Sequence, residues 1–367
     1  MKRRQVIKQA AIATVTTATV ASCARQNTST AVKAAMPQIK WRMATSWTKA
    51  LGIFSGPDII AKRVKEMTGG AFTITPFSGG EIVPGLQVLD AIQTGAVECG
   101  HTASYYYIGK NPGLAFATAV PFGLNAQQQN AWLNHGGGLE AMQKIYSDFN
   151  VINFSAGNTG VQMGGWFKRE IKSLADLKGL KMRIPGLGGQ VMTRLGVNVQ
   201  VLPSSEIYIS LDRGAIDAAE WVGPYDDEKL GLNKAAQFYY YPGWWEPGPS
   251  LDFIINLNAW NKLPQEYKEI LKAAAKEANV GMQALYEDFN GQVLQKMLKG
   301  GTKLVPYSQE IMKAAQKASS EILDDIATKN SSFKQIYEPW KAFRENANNW
   351  NRINELSFAN FVMGGDR

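Results

Sequence analysis

Three polar side chains interrupt segments that otherwise have the composition of buried strands. Gln162 lies among glycines and other small residues, Arg183 lies inside a short apolar strand, and Glu220 ends another. A polar or charged group in such a place is costly unless a hydrogen-bond partner or a bound ion compensates it. These three residues are therefore the candidates for a ligand-binding site.

Arg183 is placed to bind an anion. A guanidinium can hold a carboxylate through two parallel hydrogen bonds. Pro185 ends the strand, and Gly186, Gly188 and Gly189 allow the backbone to approach a ligand closely. The alternative for Arg183 is a structural salt bridge to an acidic residue.

Glu220 can serve either of two partners. It can neutralise Arg183 directly, or it can hold a hard cation together with backbone and amide oxygens. In the second case the Trp221 carbonyl is a further ligand and its ring an apolar wall. The amide of Gln162 can both donate and accept hydrogen bonds, although a surface strand position is the alternative for this residue.

The segment 239–248 (YYYPGWWEPG) is unusually aromatic and contains a fourth candidate, Glu246. Aromatic rings line many small-ligand pockets, and Pro and Gly fix the shape of such loops. Glu246 can then contact the ligand or the cation. The competing interpretation is a hydrophobic clamp between two lobes.

Familiar catalytic motifs are missing from the sequence. Its two histidines, His101 and His135, form no metal-binding pair, and there is no Cys-x-x-Cys, nucleophile elbow or Walker motif. Gly186 and Gly188 match half of a dinucleotide fingerprint, but Val191 replaces the third glycine. The sequence predicts no enzyme, and an exported oxidoreductase is the alternative from another class. For His101, at a strand end, the favoured interpretation is a histidine hydrogen-bonded to backbone.

Composition excludes several classes of protein. The chain has 367 residues, of which 45% are apolar and 19% charged, so it is neither disordered nor a single minimal domain. The formal net charge is +8, and half of it comes from the four basic residues near the N-terminus. The remainder is too weak to indicate a nucleic-acid partner.

The N-terminus has the pattern of an export signal. A basic head over residues 2–8 precedes an uncharged stretch over 9–22, too short to span a bilayer. Val20-Ala21-Ser22-Cys23 resembles a bacterial lipobox, which predicts lipidation of Cys23; a coincidental cysteine in a plain signal is the alternative. Arg3 and Arg4 leave both the Sec and the twin-arginine routes open. Residues 23–38 have the small, polar composition of a tether.

The order of elements predicts an α/β fold. Strands near residues 40–44, 72–75 and 97–100 alternate with helices, which indicates a parallel, right-handed β-α-β-α-β unit. The same order returns over residues 181–222. Segments 92–98 (IQTGAVE) and 211–217 (LDRGAID) have matched chemistry around a glycine, as expected for two related lobes.

These patterns predict two lobes joined by a hinge. We expect lobe I over residues 39–150, with a return strand near 251–256, and lobe II over 151–250. A long helical region over 264–367 then spans the lobes, with its last helix from about Ser332 to Met363. Chains that cross between lobes more than once form a hinge, and a hinge between lobes forms a cleft.

Several segments resemble the solute receptors of tripartite ATP-independent periplasmic (TRAP) transporters, the DctP-type family with a two-lobed periplasmic-binding-protein-like fold. The resemblance covers roughly residues 39–365 and rests on 77–81 (FSGGE), 89–95 (LDAIQTG), 174–179 (LADLKG) and 181–183 (KMR). Segments 220–227 (EWVGPYDD) and 241–244 (YPGW) look like the branch that binds 2-oxo and 2-hydroxy monocarboxylates, such as pyruvate or lactate, with a metal ion.

The resemblance assigns roles to individual positions. It implies that Arg183 binds the substrate carboxylate and that Gln162 touches substrate and metal. Glu220 and the Trp221 carbonyl would hold Na⁺ or Ca²⁺, and Glu246 would complete the site. A receptor for an amino acid or a dicarboxylate such as glutamate is the alternative within the family.

The same resemblance implies partners and a location. The receptor would deliver its ligand to the membrane permease from the periplasm. The lipobox departs from the commoner, freely diffusing receptors of the family, and it leaves open whether Cys23 tethers this one to the membrane. Some relatives are dimers that exchange a long C-terminal helix, and the surplus helices here allow a homodimer.

Overall fold

The structure is a computed structural model that describes residues 36–364. The predicted signal peptide, Cys23 and most of the predicted tether lie outside the described residues. Within them, no helix is both long enough and apolar enough to cross a bilayer.

The first sheet has five strands in the order β2-β1-β3-β10-β4. The first three strands are parallel, and β10 lies antiparallel between β3 and β4. They are β1 (Ile39–Thr45), β2 (Phe72–Phe77), β3 (Cys99–Thr102), β4 (Val151–Asn158) and β10 (Ser250–Asn256).

The second sheet has six strands in the order β11-β9-β5-β8-β6-β7. Strands β6, β7 and β8 are parallel, and β5 lies antiparallel between β8 and β9. They are β5 (Trp166–Phe167), β6 (Lys181–Arg183), β7 (Asn198–Gln200), β8 (Ala218–Ala219), β9 (Phe238–Tyr241) and β11 (Lys303–Pro306). We call each sheet with its helices a lobe.

The two repeated segments play the same part in their lobes. Gly95 and Gly214 both adopt a left-handed conformation, with φ of 75° and 77°, where the preceding helix ends. A side-chain oxygen of Glu98 accepts the Arg42 N–H at 2.9 Å in the first parallel strand, and Asp217 accepts the Lys181 N–H at 2.9 Å in the equivalent strand. In both lobes the acid of the repeated segment therefore bonds the backbone of a neighbouring strand.

Helices surround both sheets. They are α1 (Ser55–Met67), α2 (Val88–Thr94), α3 (Ala115–Thr118), α4 (Ala126–His135), α5 (Gly138–Ser147), α6 (Gly186–Arg194), α7 (Ser204–Asp212), α8 (Pro224–Leu230), α9 (Leu232–Ala235), α10 (Leu257–Asn261), α11 (Gln265–Lys299), α12 (Gln309–Lys329), α13 (Ser331–Ile353) and α14 (Glu355–Met363).

The C-terminal helices connect the lobes. The 35-residue helix α11 is about 52 Å long. It packs against α1 and β4 of the first lobe and against α8 of the second. Helix α12 packs on α6 of the second lobe, and α13 packs on α12 and on α4 of the first. The lobes are therefore joined by helices as well as by the crossing chain.

The structure corrects three details of the sequence-based expectations. The predicted final helix is interrupted at Asn354, which separates α13 from α14. The last strand of the order expected over residues 181–222 stops at Ala219, because the chain from Glu220 onward leaves the sheet. Strand β4 lies at the start of residues 151–250, the range expected for lobe II, but it pairs with β10 in the first sheet.

The first lobe contains a buried acid, Asp252, on β10. Its carboxylate accepts hydrogen bonds from the hydroxyls of Ser104 and Tyr146 and from Asn153 Nδ2 at 2.9 Å. Burial raises the pKa of Asp252 from 3.8 to about 6, although these donors oppose the shift. The network fixes the short helix Ser104–Tyr107, which follows β3 and faces the second lobe.

We predict that Asp252→Asn changes the pH dependence of stability. A carboxyl whose pKa is higher in the folded state favours folding most when protonated, so its contribution falls as pH rises from about 4 to about 6. The Asn variant lacks this loss. Over that interval the unfolding free energy of the parent should therefore fall, relative to that of Asp252→Asn, by up to about 3 kcal/mol. Urea denaturation of the two proteins measures the difference. The exposed Asp148→Asn is the control, and parallel pH profiles of parent and Asp252→Asn would contradict the expectation.

Candidate functional site

The structure brings the predicted polar residues into one crevice between the lobes. Arg183 ends β6, Glu220 follows β8, Gln162 lies between β4 and β5, and Glu246 lies between β9 and β10. The exposed fraction of each of these side chains is 4% or less, as is that of Trp221. The crevice is closed, and these groups are shielded from bulk water.

Arg183 is tied to the segment that contains Glu220. Its Nη1 donates to a Glu220 carboxylate oxygen and to the Glu220 carbonyl at 2.9 Å, while its Nε donates to the Leu202 carbonyl at 3.2 Å. The ion pair left open by the sequence is therefore formed. The other nitrogen, Nη2, has only a long contact of 3.5 Å with the Tyr106 hydroxyl within residues 36–364. That face of the guanidinium retains hydrogen-bonding capacity for an anion.

Two carboxyl groups share the crevice with this one guanidinium. Burial raises the pKa of Glu220 to about 7, although Arg183 beside it favours the ionised form. Burial also raises the pKa of Glu246 well above its usual value, and the negative charge of Glu220 adds to that effect. When both acids are ionised the crevice has excess negative charge, and a cation would relieve it.

Several oxygen atoms of the residues that form the crevice have no hydrogen-bond partner within residues 36–364. Gln162 Oε1 and Glu220 Oε2 are buried and unpartnered in the described part of the chain. The Trp221 carbonyl likewise accepts no hydrogen bond from residues 36–364. Amide, carboxylate and carbonyl oxygens are the ligands that Na⁺ and Ca²⁺ take, so the donor set fits a hard cation. The described residues contain no cluster of three or more His, Cys, Asp or Glu side chains suited to a metal.

Backbone hydrogen bonds join the loops that contribute these atoms. The Gln162 N–H donates to the Glu246 carbonyl at 3.1 Å, and the Gly243 N–H donates to the Gln162 carbonyl at 2.9 Å. The Met163 N–H donates to the Val222 carbonyl at 3.0 Å. The loops containing Gln162, Glu220 and Glu246 therefore form one unit in the second lobe.

The first lobe covers this unit with aromatic side chains that the sequence analysis missed. The Tyr105 hydroxyl lies 3.5 Å from a carboxylate oxygen of Glu246, and the Tyr106 hydroxyl reaches Arg183. Trp47 follows β1, and its ring lies 6.1 Å from the rings of Tyr106 and Trp221. The available signal was the run Tyr105-Tyr106-Tyr107 directly after a parallel strand, where such sheets bind ligands.

His101 supports this cover. Its Nδ1 accepts the Trp47 indole N–H at 2.8 Å, and its Nε2 lies 3.1 Å from the Ala156 carbonyl. Burial lowers the pKa of His101 to about 4, so the ring is neutral at pH 7 and donates through Nε2. This matches the expected backbone-bonded histidine. The other histidine, His135, ends helix α4.

The aromatic segment 239–248 forms part of the contact between the lobes, as one of the two interpretations expected. Trp244 stacks on Phe122 of the first lobe, with ring centroids 5.2 Å apart, which makes it part of a clamp between lobes. Trp245 packs against Trp244 and Tyr307. The same segment positions Glu246 in the crevice.

Comparisons with known proteins identify the family of the chain. Residues 43–330 match the model of the DctP family, described as bacterial extracellular solute-binding protein, family 7. The chain is 71% identical, over 99% of both chains, to a monocarboxylate 2-oxoacid-binding periplasmic protein of Nostoc sp. strain PCC 7120.

Two solved structures of TRAP solute-binding proteins have the same fold. One, from Bordetella bronchiseptica, is 47% identical with a TM-score of 0.88, over 89% of this chain and 98% of that one. It is a mixed-occupancy dimer with copurified calcium and picolinate in its active site. Another, from Pseudoalteromonas atlantica, is 37% identical with a TM-score of 0.86, over 90% of this chain and 100% of that one, and has bound sodium and pyruvate.

Proposed function

Because the chain belongs to the DctP family of bacterial extracellular solute-binding proteins, we propose that it is the periplasmic receptor of a TRAP transporter for a small 2-oxo or 2-hydroxy monocarboxylate such as pyruvate. It binds the solute and delivers it to the membrane permease, with no catalytic step. The observation that supports this most strongly is one buried guanidinium beside buried, unpartnered oxygens in a closed crevice.

In this proposal Arg183 binds the solute carboxylate. Its Nη2 lacks a close partner within the described residues and donates to the ligand. Charge-assisted hydrogen bonds of this kind are about twice as strong as neutral ones. Among the buried side chains of residues 36–364, Arg183 is the only Lys or Arg. One cationic group matches one carboxylate, which favours a monocarboxylate over glutamate or a dicarboxylate.

Gln162 Oε1, Glu220 Oε2 and the Trp221 carbonyl hold the cation, and Glu246 contacts the cation or the ligand. The cation, Na⁺ or Ca²⁺, supplies positive charge that offsets the repulsion between the buried acids and the anionic solute. Without it, the anionic solute would enter as a third anion in a crevice that already contains two carboxylates. Gln162 also has an amide nitrogen, which donates to Thr159 Oγ1 at 3.2 Å and can turn to the ligand.

Binding is coupled to closure of the lobes. Tyr105 and Tyr106 come from the first lobe, whereas Arg183 and Glu246 come from the second, so their contacts exist only in the closed form. A ligand that contacts both sides prefers that form and shifts the population towards it. The closed surface is what the permease recognises in this proposal.

The receptor is anchored to the membrane through Cys23 in this proposal. Pro37, near the start of the described residues, is held on α11, because the Tyr267 hydroxyl donates to its carbonyl at 2.9 Å. Residues 24–36 lie between Cys23 and this contact in the sequence.

The C-terminal helix supports a homodimer. Helix α14 has no buried residue, and its apolar side chains are largely exposed: Leu356 51%, Phe358 65%, Phe361 86%, Val362 57% and Met363 75%. An apolar surface of this kind on one short helix marks an interaction site. A second copy of the chain is the partner that we propose.

The ligand assignment is tested by isothermal titration of the ligand-free protein with pyruvate, lactate, 2-oxobutyrate and glutamate, with Ca²⁺ or Na⁺ present. We expect heat with the monocarboxylates and none with glutamate.

Arg183→Ala should weaken pyruvate binding by about 3 kcal/mol or more, because a buried charge-assisted pair is lost. The exposed Arg194→Ala is the matched control. Absence of heat with every monocarboxylate would refute the assignment.

The anchor is tested by phase partitioning of cell extracts. The full chain should enter the detergent phase, because an acyl chain on Cys23 adds apolar surface. Cys23→Ser should stay in the aqueous phase. Identical partitioning of the two proteins would show that Cys23 is not lipidated.

The dimer is tested by sedimentation velocity of the folded domain. The parent should sediment as a dimer, and a variant with both Phe358→Glu and Phe361→Glu should sediment as a monomer, because buried unpaired charges oppose association. Monomeric sedimentation of the parent at all concentrations would contradict the proposal.

A further inference from the structure

Two adjacent aspartates at the start of α8 are completely buried, although the proposed binding of ligand and cation uses neither. Asp226 is 0% and Asp227 is 1% exposed. A buried carboxylate is tolerated only when several donors satisfy it, so the partners of each aspartate indicate its purpose.

Asp227 is held by four donors. Its Oδ1 accepts the backbone N–H groups of Val222 at 3.2 Å and Gly223 at 3.1 Å. Its Oδ2 accepts the Trp166 indole N–H at 2.9 Å and the Tyr239 hydroxyl at 2.6 Å. Trp166 and Tyr239 lie on the neighbouring strands β5 and β9, with rings stacked 3.9 Å apart. The second sheet therefore fixes the carboxylate, and the carboxylate fixes the backbone that follows Glu220.

This arrangement determines where the Trp221 carbonyl points. In a planar trans peptide, the C=O of one residue and the N–H of the next point in opposite directions. Because the Val222 N–H points at Asp227, the Trp221 carbonyl points away from Asp227.

The neighbouring carbonyls are already used. The Glu220 carbonyl accepts from Arg183 Nη1 at 2.9 Å, and the Val222 carbonyl accepts from the Met163 N–H at 3.0 Å. The Trp221 carbonyl between them accepts nothing from the described residues. Of three successive carbonyls, the middle one is oriented by Asp227 and left free for a ligand.

We propose that Asp227 is a positioning residue for the cation: its carboxylate, fixed by Trp166 and Tyr239, orients the Trp221 carbonyl as a cation ligand. The inference rests on the proposed function, which supplies the cation. Asp227 itself contacts neither the cation nor the solute. Its effect reaches the cation through one peptide plane and also through its negative charge, which acts on Glu220; Tyr239→Phe leaves that charge in place.

Asp226 provides a matched control. It is the adjacent residue and is equally buried, but its carboxylate accepts the backbone N–H groups of Gly52 and Ile53 and the Tyr286 hydroxyl at 2.7 Å. These partners precede α1 or lie on α11, and none belongs to the loops that contain Gln162, Glu220 and Glu246. Replacing Asp226 removes a buried charge of the same kind without releasing the Trp221 peptide.

The test is calorimetric titration of Ca²⁺ alone, followed by titration of pyruvate at a series of Ca²⁺ concentrations. Asp227→Asn should weaken Ca²⁺ binding about tenfold or more, as is usual when a residue that orients a metal ligand is replaced. Asp226→Asn should stay within about twofold of the parent. Saturating Ca²⁺ should restore the pyruvate affinity of Asp227→Asn, a rescue that a general loosening of the fold would not give.

A milder pair of variants covers the case in which Asp227→Asn does not fold. Tyr239→Phe removes one donor to Asp227 but keeps the ring that stacks on Trp166, and should weaken Ca²⁺ binding about threefold. Tyr240→Phe is its control, because the Tyr240 hydroxyl bonds the Ile171 backbone instead.

Two results would overturn the inference while leaving the proposed function intact. One is an unchanged Ca²⁺ affinity in both Asp227→Asn and Tyr239→Phe. The other is an equal loss in the Asp226 and Tyr240 controls, or a loss of pyruvate affinity that Ca²⁺ does not restore. Absence of any Ca²⁺ or pyruvate binding by the parent protein would refute the proposed function and the inference together.

Discussion

The crevice buries two carboxyl groups and a single guanidinium, and this charge imbalance is the constraint on which the site depends. Arg183, Glu220 and Glu246 are each 3% exposed or less. Water cannot solvate them, so the balance must come from protons, from hydrogen bonds or from a bound ion. The raised pKa values of Glu220 and Glu246 reflect the cost of ionising both. An anionic solute increases that cost, and a cation bound beside it decreases it.

The fold supplies what this arrangement requires. Each polar group is held by a loop of the second lobe, and backbone hydrogen bonds join the loops of Gln162, Glu220 and Glu246 into one unit. The first lobe contributes a cover of Tyr105, Tyr106 and Trp47, whose orientation His101 supports. Because the two lobes share helices α11 to α13, the cover and the binding unit can separate and still belong to one domain.

Much of this organisation can be predicted from the sequence. Parallel β-α-β units leave a clear pattern of short apolar runs, helices and terminating glycines, and the matched segments 92–98 and 211–217 reveal the second copy. Arg183 and Glu220 can be singled out from the sequence, because a charged residue within or beside a buried strand is costly unless it is paired or binds a ligand. Gln162 was a candidate because small residues surround it, and Glu246 was a candidate because it lies in an aromatic segment.

The remainder depends on contacts that sequence patterns do not encode. Tyr105 and Trp47 belong to the site only because the lobes close, and the partners they meet lie far away in the chain. The pairing of Arg183 with Glu220 depends on side-chain conformation, which periodicity does not report. Asp227 looks like a surface acid at a helix N-terminus, where such residues are common, and only its four donors distinguish it. Asn354 interrupts the last helix without a proline or glycine to signal the break.

The central claim is that this crevice binds a carboxylate and a cation together, through Arg183 on one side and unpartnered oxygens on the other. A crystal structure of the protein grown with pyruvate and Ca²⁺ tests this most directly. The account predicts the pyruvate carboxylate on Arg183 Nη2 and the ion on Glu220 Oε2, Gln162 Oε1 and the Trp221 carbonyl. A structure in which pyruvate lies elsewhere, with Arg183 bonded to Glu220 alone and no ion in the crevice, would contradict it.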